Sequence, residues 1–230
     1  MSPIEPFPPL ECANEYGLLA IGGDLTVERL MLAYRSGIFP WFNPGEPILW
    51  WSPDPRSVIF PGNFEPSRSL RKSIRNRGYR FTLNKAFEDV ITRCAAPRKN
   101  ESGTWITDDM HQAYINLHHQ GVAHSAETWL DDKLVGGLYG IAMGKVFFGE
   151  SMFSRSTDAS KVALAHLVAQ LRQWHYTMID CQVSSVHITS LGAVEIPRTE
   201  FIKRLESVLS CNNQVAEWPA CGQAKKCNNG

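Results

Sequence analysis

Residues 124–154, HSAETWLDDKLVGGLYGIAMGKVFFGESMFS, form three apolar-rich runs parted by Asp131-Asp132-Lys133 and Met143-Gly144-Lys145. Turn clusters between runs rich in aromatic and β-branched residues predict three antiparallel strands. Residues 157–176, TDASKVALAHLVAQLRQWHY, follow as an amphipathic helix capped near Asp158, with its apolar stripe at Val162, Leu164, Ala165, Val168 and Leu171. Residues 176–198, YTMIDCQVSSVHITSLGAVEIPR, then open as a strand and pass into a Gly-containing helical turn. Antiparallel strands, one long helix and a strand parallel to its neighbour make a mixed sheet covered by helices. The fold class is therefore α+β.

Upstream, helices are predicted near 67–77, 84–95 and 107–120. The first sixty residues are rich in Pro, Gly and aromatics. Within them Asp24 or Thr26 caps a predicted helix from Val27 to Arg35, ended by Gly37, with Leu30, Met31 and Tyr34 on its buried side. Turns and short strands come after it, holding Trp41, Trp50 and Trp51 between prolines. Most of these aromatics suit a core, although a tryptophan on a Pro-stiffened loop also suits base stacking. These shifts divide the chain into a small N-terminal α/β domain, 1–62, and a larger domain, 63–230. The tail from Cys211 is polar and aperiodic, and is expected to be partly mobile with Trp218 pinning its middle.

An apolar fraction of 43% over 230 residues suffices for a real core. No run nears the roughly 20 apolar residues of a membrane span, and the start MSPIEPFPPLE lacks the marks of a signal peptide. A cytoplasmic protein is expected. Six cysteines without a CxxC pair give no metal-ligand spacing and read as reduced thiols. Twenty-three basic and twenty-three acidic residues cancel, but unevenly. PSRSLRKSIRNRGYRFTLNK, residues 66–85, contains no acid, and Arg68, Arg71, Lys72 and Arg75 share one face of a helix capped by Ser67. Leu70 and Ile74 mark the face that docks. Four like charges with no local acid repel one another, which favours a polyanion site, most simply phosphates, over an ordinary solvated face.

On a strand, Asp180 and Gln182 would face the same way about 7 Å apart, and one substrate could meet both. The plainer reading has Asp180 capping the next turn, which leaves Gln182 without a local job. Glu150, among Phe147, Phe148 and Met152, is either paired with Arg155 or kept for a cationic ligand. His187 lacks a nucleophile partner and reads as a helix-end residue. Cys181 would face away from Asp180 and is not read as a nucleophile.

The strand and helix order is also that of acyltransferases of the GNAT type. These hold the pyrophosphate of coenzyme A on a Gly-rich loop, whereas SRSTDASK, residues 154–161, has no glycine. A different acyl donor is implied.

YGLLAIGGDLTVERLMLAYRSGIFPWFNPGEPILWWSPDPR, GTWIT, GGLYGIAMGKVFFGESMFSR, DASK and IDCQVSSVHITSLGAVEIPR together resemble leucyl/phenylalanyl-tRNA-protein transferases, in order from Tyr16 to Leu205. The resemblance implies a bacterial enzyme with a GNAT-like second domain that moves Leu or Phe, and by extension Met, from Leu-tRNA or Phe-tRNA onto proteins with N-terminal Arg or Lys, marking them for degradation. Nothing in the sequence demands a metal, a small-molecule cofactor or an oligomer, and a monomer is expected. Carried onto this chain, Trp41 and Trp105 flank the terminal adenosine, and Leu138, Phe147, Leu164, Leu167 and Leu171 line the aminoacyl pocket. Glu150 and Asp180 attract the acceptor's cation. Gln182 and Asp180 orient its α-amine and relay its proton, and Arg68, Arg71, Lys72 and Arg75 hold acceptor-stem phosphates. Leu138 stands where the family usually has Met, and Leu167 and Leu171 where it has Phe, so the pocket is aliphatic. Asn76 stands where a cation is usual, with Arg77 beside it. Two other readings are a transferase with an amino-sugar peptide as acceptor and a noncatalytic tRNA-binding module.

Overall fold

The computed structural model describes residues 5–96, 106–210 and 218–219. Strands β1 (Leu18–Ile21), β2 (Phe39–Pro40) and β3 (Leu49–Trp51) form a small antiparallel sheet in the order β1-β3-β2. Helix α1 (Val27–Arg35) starts where Thr26 Oγ1 accepts the Arg29 N–H, and it buries Leu30 and Tyr34. It ends at Gly37, whose φ of 71° only glycine adopts cheaply.

The larger sheet has seven strands: β4 (Arg56–Ile59), β5 (Arg80–Leu83), β6 (Ala123–Leu130), β7 (Lys133–Met143), β8 (Val146–Ser154), β9 (Met178–Asp180) and β10 (Val194–Ile196), ordered β10-β4-β9-β8-β7-β6-β5. Helices α2 (Arg68–Asn76), α3 (Phe87–Ala95), α4 (Asp108–His119), α5 (Ala159–Gln173), α6 (Val186–Ser190) and α7 (Arg198–Leu209) complete the described chain. Strands β6, β7 and β8 are the expected antiparallel trio, and β8 meets β9 in parallel across α5. A parallel pair needs such a crossover. The mixed sheet, the antiparallel trio and the parallel strand after α5 are as the sequence predicted.

Side-chain alternation splits the core into two layers. Tyr139 and Phe148 join Tyr34, Tyr114 and Phe201 on one face, while Leu138 and Phe147 join Leu164, Leu167 and Leu171 on the other. Full burial of each of these large apolar groups stabilises by roughly 1.5–3 kcal/mol.

Three details differ from the sequence reading. The short edge strands β5 and β10 and the helix α7 were not foreseen. The segment opening at Tyr176 is strand only over Met178–Asp180. Strand β4, on the N-terminal side of the expected division at residue 62, is hydrogen-bonded between β10 and β9 of the larger sheet. Of the tail, Trp218 is held by a 3.0 Å bond from Nε1 to the Tyr176 hydroxyl and by stacking on His124 at 4.0 Å.

Candidate active site

The site exists because two strands part. β8 and β9 pair only over Val146↔Met178, Phe147↔Ile179 and Phe148↔Asp180, after which β9 stops and β8 continues to Ser154. In the same place β8 bulges against β7: Tyr139 faces Ser151 and Gly140 faces Gly149, which leaves Glu150 as the extra residue. A bulge re-aims a side chain. Gly140 makes room for it, since a Cβ there would stand 2.1 Å from the Phe148 carbonyl oxygen.

A cavity of about 480 Å³ fills the gap. Leu138, Phe147, Leu164 and Ile179 line its apolar wall, and Glu150, Gln182 and His187 supply polar groups. A second cavity of about 300 Å³ lies between Phe39, Pro40 and Trp41 on one side and Val183 on the other. The two meet at Glu150, Cys181, Gln182 and Ser185. Leu167 and Leu171, expected in the pocket lining, are fully buried in the core behind it. They lie one and two turns further along α5, where the β8/β9 pair is closed and leaves no gap.

Glu150 is not paired with Arg155. Its Oε1 lies 2.8 Å from the Tyr34 hydroxyl and its Oε2 2.8 Å from the Tyr114 hydroxyl, and those two hydroxyls are 2.5 Å apart. Three close oxygen pairs need three protons, and two tyrosines supply only two. A proton on the carboxyl group closes the ring. In keeping with this, burial pushes the Glu150 pKa up to about 7 against the lowering by the two tyrosine bonds, and the Asp180 charge adds to the rise. Burial, then the Glu150 charge, holds both tyrosines well above the usual phenol range. Gln182 Nε2 also reaches Glu150 Oε1, at 3.3 Å.

Asp180 and Gln182 are brought together, though not on one strand face. Asp180 ends β9 fully buried, with Arg56 Nε donating to Oδ1 at 2.8 Å and Nη2 to Oδ2 at 2.7 Å. The fork-to-fork geometry is the strong form of this contact. Arg56 itself lies between the rings of Phe39, at 4.8 Å, and Phe201, at 4.6 Å. Asp180 Oδ1 also accepts the Gln182 N–H at 3.0 Å. With φ of 57°, Gln182 turns out of the strand line while its carbonyl stays bonded to Ser57 N–H at 3.1 Å. Asp180 thus lines neither cavity, and Gln182 lines both.

Cys181 borders both cavities, which the strand reading did not place it to do. Burial, and beside it the Asp180 charge, raises its thiol pKa, which disfavours the reactive thiolate. His187 sits in the first turn of α6, its Nε2 3.4 Å from Met152 Sδ, on the wall of the larger cavity.

Trp41 is 47% exposed beside the smaller cavity, and its carbonyl accepts the Trp51 Nε1–H at 2.6 Å. Trp105 lies outside the described residues. On α2, Ser67 caps the helix, Leu70 is buried, and Arg68, Arg71, Lys72 and Arg75 are exposed without an ion-pair partner among the described residues.

Arg56, Tyr34 and Tyr114 were missed by sequence reasoning. The tyrosines sit in helical stripes that read as core, as they partly are. Arg56 left a trace: it opens the apolar run RSVIF, where a lone cation in a buried strand requires a partner.

A family model described as Leucyl/phenylalanyl-tRNA protein transferase matches residues 58–206, and that for its N-terminal domain matches 23–54. The chain belongs to this transferase family. A leucyl/phenylalanyl-tRNA--protein transferase of Nitrosomonas europaea is 57% identical over 215 residues, covering 93% of this chain and 91% of the relative. One from Cellvibrio japonicus is 60% identical over 189 residues, covering 82% of this chain and 80% of the relative. Among solved structures, a GCN5-related N-acetyltransferase from Kribbella flavida aligns at a TM-score of 0.39 and 10% identity, over 73% of this chain and 59% of that one, a level that carries no argument. The boundary between the two transferase models falls at β4, the strand that brings Arg56 into the larger sheet.

Proposed function

We propose that this transferase joins a leucyl or phenylalanyl group to the α-amine of proteins beginning with Arg or Lys, with the reaction centred where the two cavities meet. Aminoacyl transfer from tRNA to protein is the activity of the family. The observation that carries the placement is the shared border of Glu150 and Gln182 between an apolar chamber and a tryptophan-edged one.

In this reading the aminoacyl side chain enters the chamber of Leu138, Phe147 and Leu164, and the terminal adenosine stacks at Trp41. Such stacking on an aromatic face tolerates any base and contributes about 1–3 kcal/mol. The ester carbonyl then lies at the junction. The acceptor's α-amine attacks the carbonyl carbon, the carbon–nitrogen bond forms, the bond to the ribose oxygen breaks, and one amine proton ends on that oxygen. The Gln182 side-chain carbonyl orients the amine. Asp180 acts through Gln182 by fixing its backbone, while its own oxygens stay with Arg56. Glu150, once ionised, meets the cationic side chain of Arg or Lys. The exposed cations of α2 hold acceptor-stem phosphates, which supply affinity without reading sequence. A reactive ester needs little beyond an aligned neutral amine.

No described helix is long and apolar enough to cross a membrane. A monomer at work in the cytoplasm, marking proteins for degradation, completes the reading. The test is transfer of labelled Leu from Leu-tRNA to two peptides that differ only in N-terminal Arg or Ala, with wild type beside Gln182→Ala. Transfer to the Arg peptide alone, lost in the variant with tRNA affinity kept, is the expected result. Equal transfer to both peptides would remove the acceptor assignment.

A further inference from the structure

The loop between β8 and α5 has two sides. Ser154 and Ser160 line the chamber proposed for the aminoacyl group, whereas Arg155, Ser156 and Thr157 line a separate cavity of about 500 Å³ with Asn76, Arg77 and Tyr79. The loop is therefore a partition. It is held in place: Arg155 N–H donates to Val135 O at 2.7 Å, the Tyr79 hydroxyl to Thr157 O at 2.8 Å, and Ser154 Oγ to Ser156 O at 2.8 Å. On the chamber side the start of α5 rests against Gly136, where a Cβ would stand 2.6 Å from the Ala159 backbone.

The charge around this outer cavity is one-sided. Arg77 and Arg155 are exposed and have no acidic partner among the described residues. The nearby acids have other direct partners, and only Asp158 reaches Arg77, through Ser73, whose Oγ accepts from Arg77 Nε at 3.4 Å. Asp158 accepts the Ser73 hydroxyl at 2.7 Å and lies 3.5 Å from Lys161 Nζ, and Asp132 pairs with Arg80 at 2.9 Å. Two arginines that share a cavity lining with Asn76, Ser156 and Thr157 fit a phosphate, whose oxygens accept from several directions. Arg77 caps the C-terminal end of α2, so the cavity lies at the end of the helix that carries Arg68, Arg71, Lys72 and Arg75.

We propose that the cavity between Arg77 and Arg155 binds a backbone phosphate of the tRNA near its 3′ end, just across the loop from the aminoacyl group. This rests on the transfer reading above. A phosphate held here fixes the strand at the point where it passes from the basic helix to the chamber, so the site contributes to donor binding and register and leaves the bond-making step alone.

The test compares wild type, Arg77→Ala/Arg155→Ala and Arg77→Lys/Arg155→Lys with two donors: Leu-tRNA, and the leucyl ester of adenosine, which has no phosphate. For Leu-tRNA the alanine pair should raise KM about tenfold and lower the slope of log affinity against log salt by about one, and the lysine pair should keep most of the slope. The fall should be confined to the tRNA donor. An unchanged slope in the alanine pair would overturn the proposal, as would an equal loss with leucyl adenosine, which would mean that the partition had collapsed. Inorganic phosphate that protects wild type alone against thermal unfolding, with the tRNA slope unmoved, would assign the cavity to free phosphate and overturn the tRNA source. Wild type inactive with both donors would overturn the transfer reading and this proposal with it.

Discussion

Glu150 is a carboxylate whose charge depends on the company it keeps. The ring with Tyr34 and Tyr114 favours its protonated form, and an Arg or Lys side chain favours the ionised one. Binding a cationic peptide near neutral pH should therefore expel a proton, measurable as a buffer-dependent heat. Since the pKa lies at about 7, KM for the Arg peptide should rise as pH falls below that value, and Glu150→Gln should remove this rise along with the preference for Arg over Ala. The sign for stability follows from the same shift. A folded pKa raised above the unfolded one makes stability highest below the usual carboxylate range and lowers it until pH passes about 7. Denaturant midpoints of Glu150→Gln should be flatter across that window. Asp180 poses the opposite case, a buried charge with its partner in place. Arg56→Ala should cost about 3–5 kcal/mol by stranding it, whereas Arg56→Met with Asp180→Leu should stay within a few kcal/mol of wild type in stability and still lose transfer, because Gln182 loses its anchor. Survival of full activity in that double variant would end the positioning role of Asp180.

At the scale of elements, the hairpins and α5 were legible because turn clusters and a clean helical stripe agree over more than fifty residues. Strand β9 was legible only in part. Its hydrophobic pattern runs through Cys181 and Val183, yet pairing stops at Asp180, since β8 has already bulged away and offers no further edge. That parting is a property of two strands at once and leaves no mark in either segment alone. The same geometry separates Leu164 from Leu167, neighbours on one stripe. Leu164→Ala should alter the ratio of Leu to Phe transfer by enlarging the chamber. Leu167→Ala should cost about 2–5 kcal/mol and leave that ratio as it was. Comparing the two donors in competition, next to a melting curve, separates the effects. The acidic residues of the site were legible as chemistry out of place, whereas Arg56 and the two tyrosines were not, because burial in a stripe hides a polar tip.

Over the whole molecule, a formal net charge of zero conceals a strongly basic edge. Four phosphate contacts on α2 would weaken tRNA binding about a hundredfold between roughly 50 and 200 mM salt, and Arg71→Glu with Arg75→Glu should at least halve the log–log slope. Filter binding at three salt concentrations would show it. The carboxylate at the centre has a further consequence. Tyr34 comes from α1 beside the small sheet and Tyr114 from α4 beside the large one, so Glu150 is gripped by both parts of the chain at once. The centre is an assembly joint. Neither part can hold it alone, and heat should register a single cooperative transition in which loss of transfer and loss of structure share one midpoint.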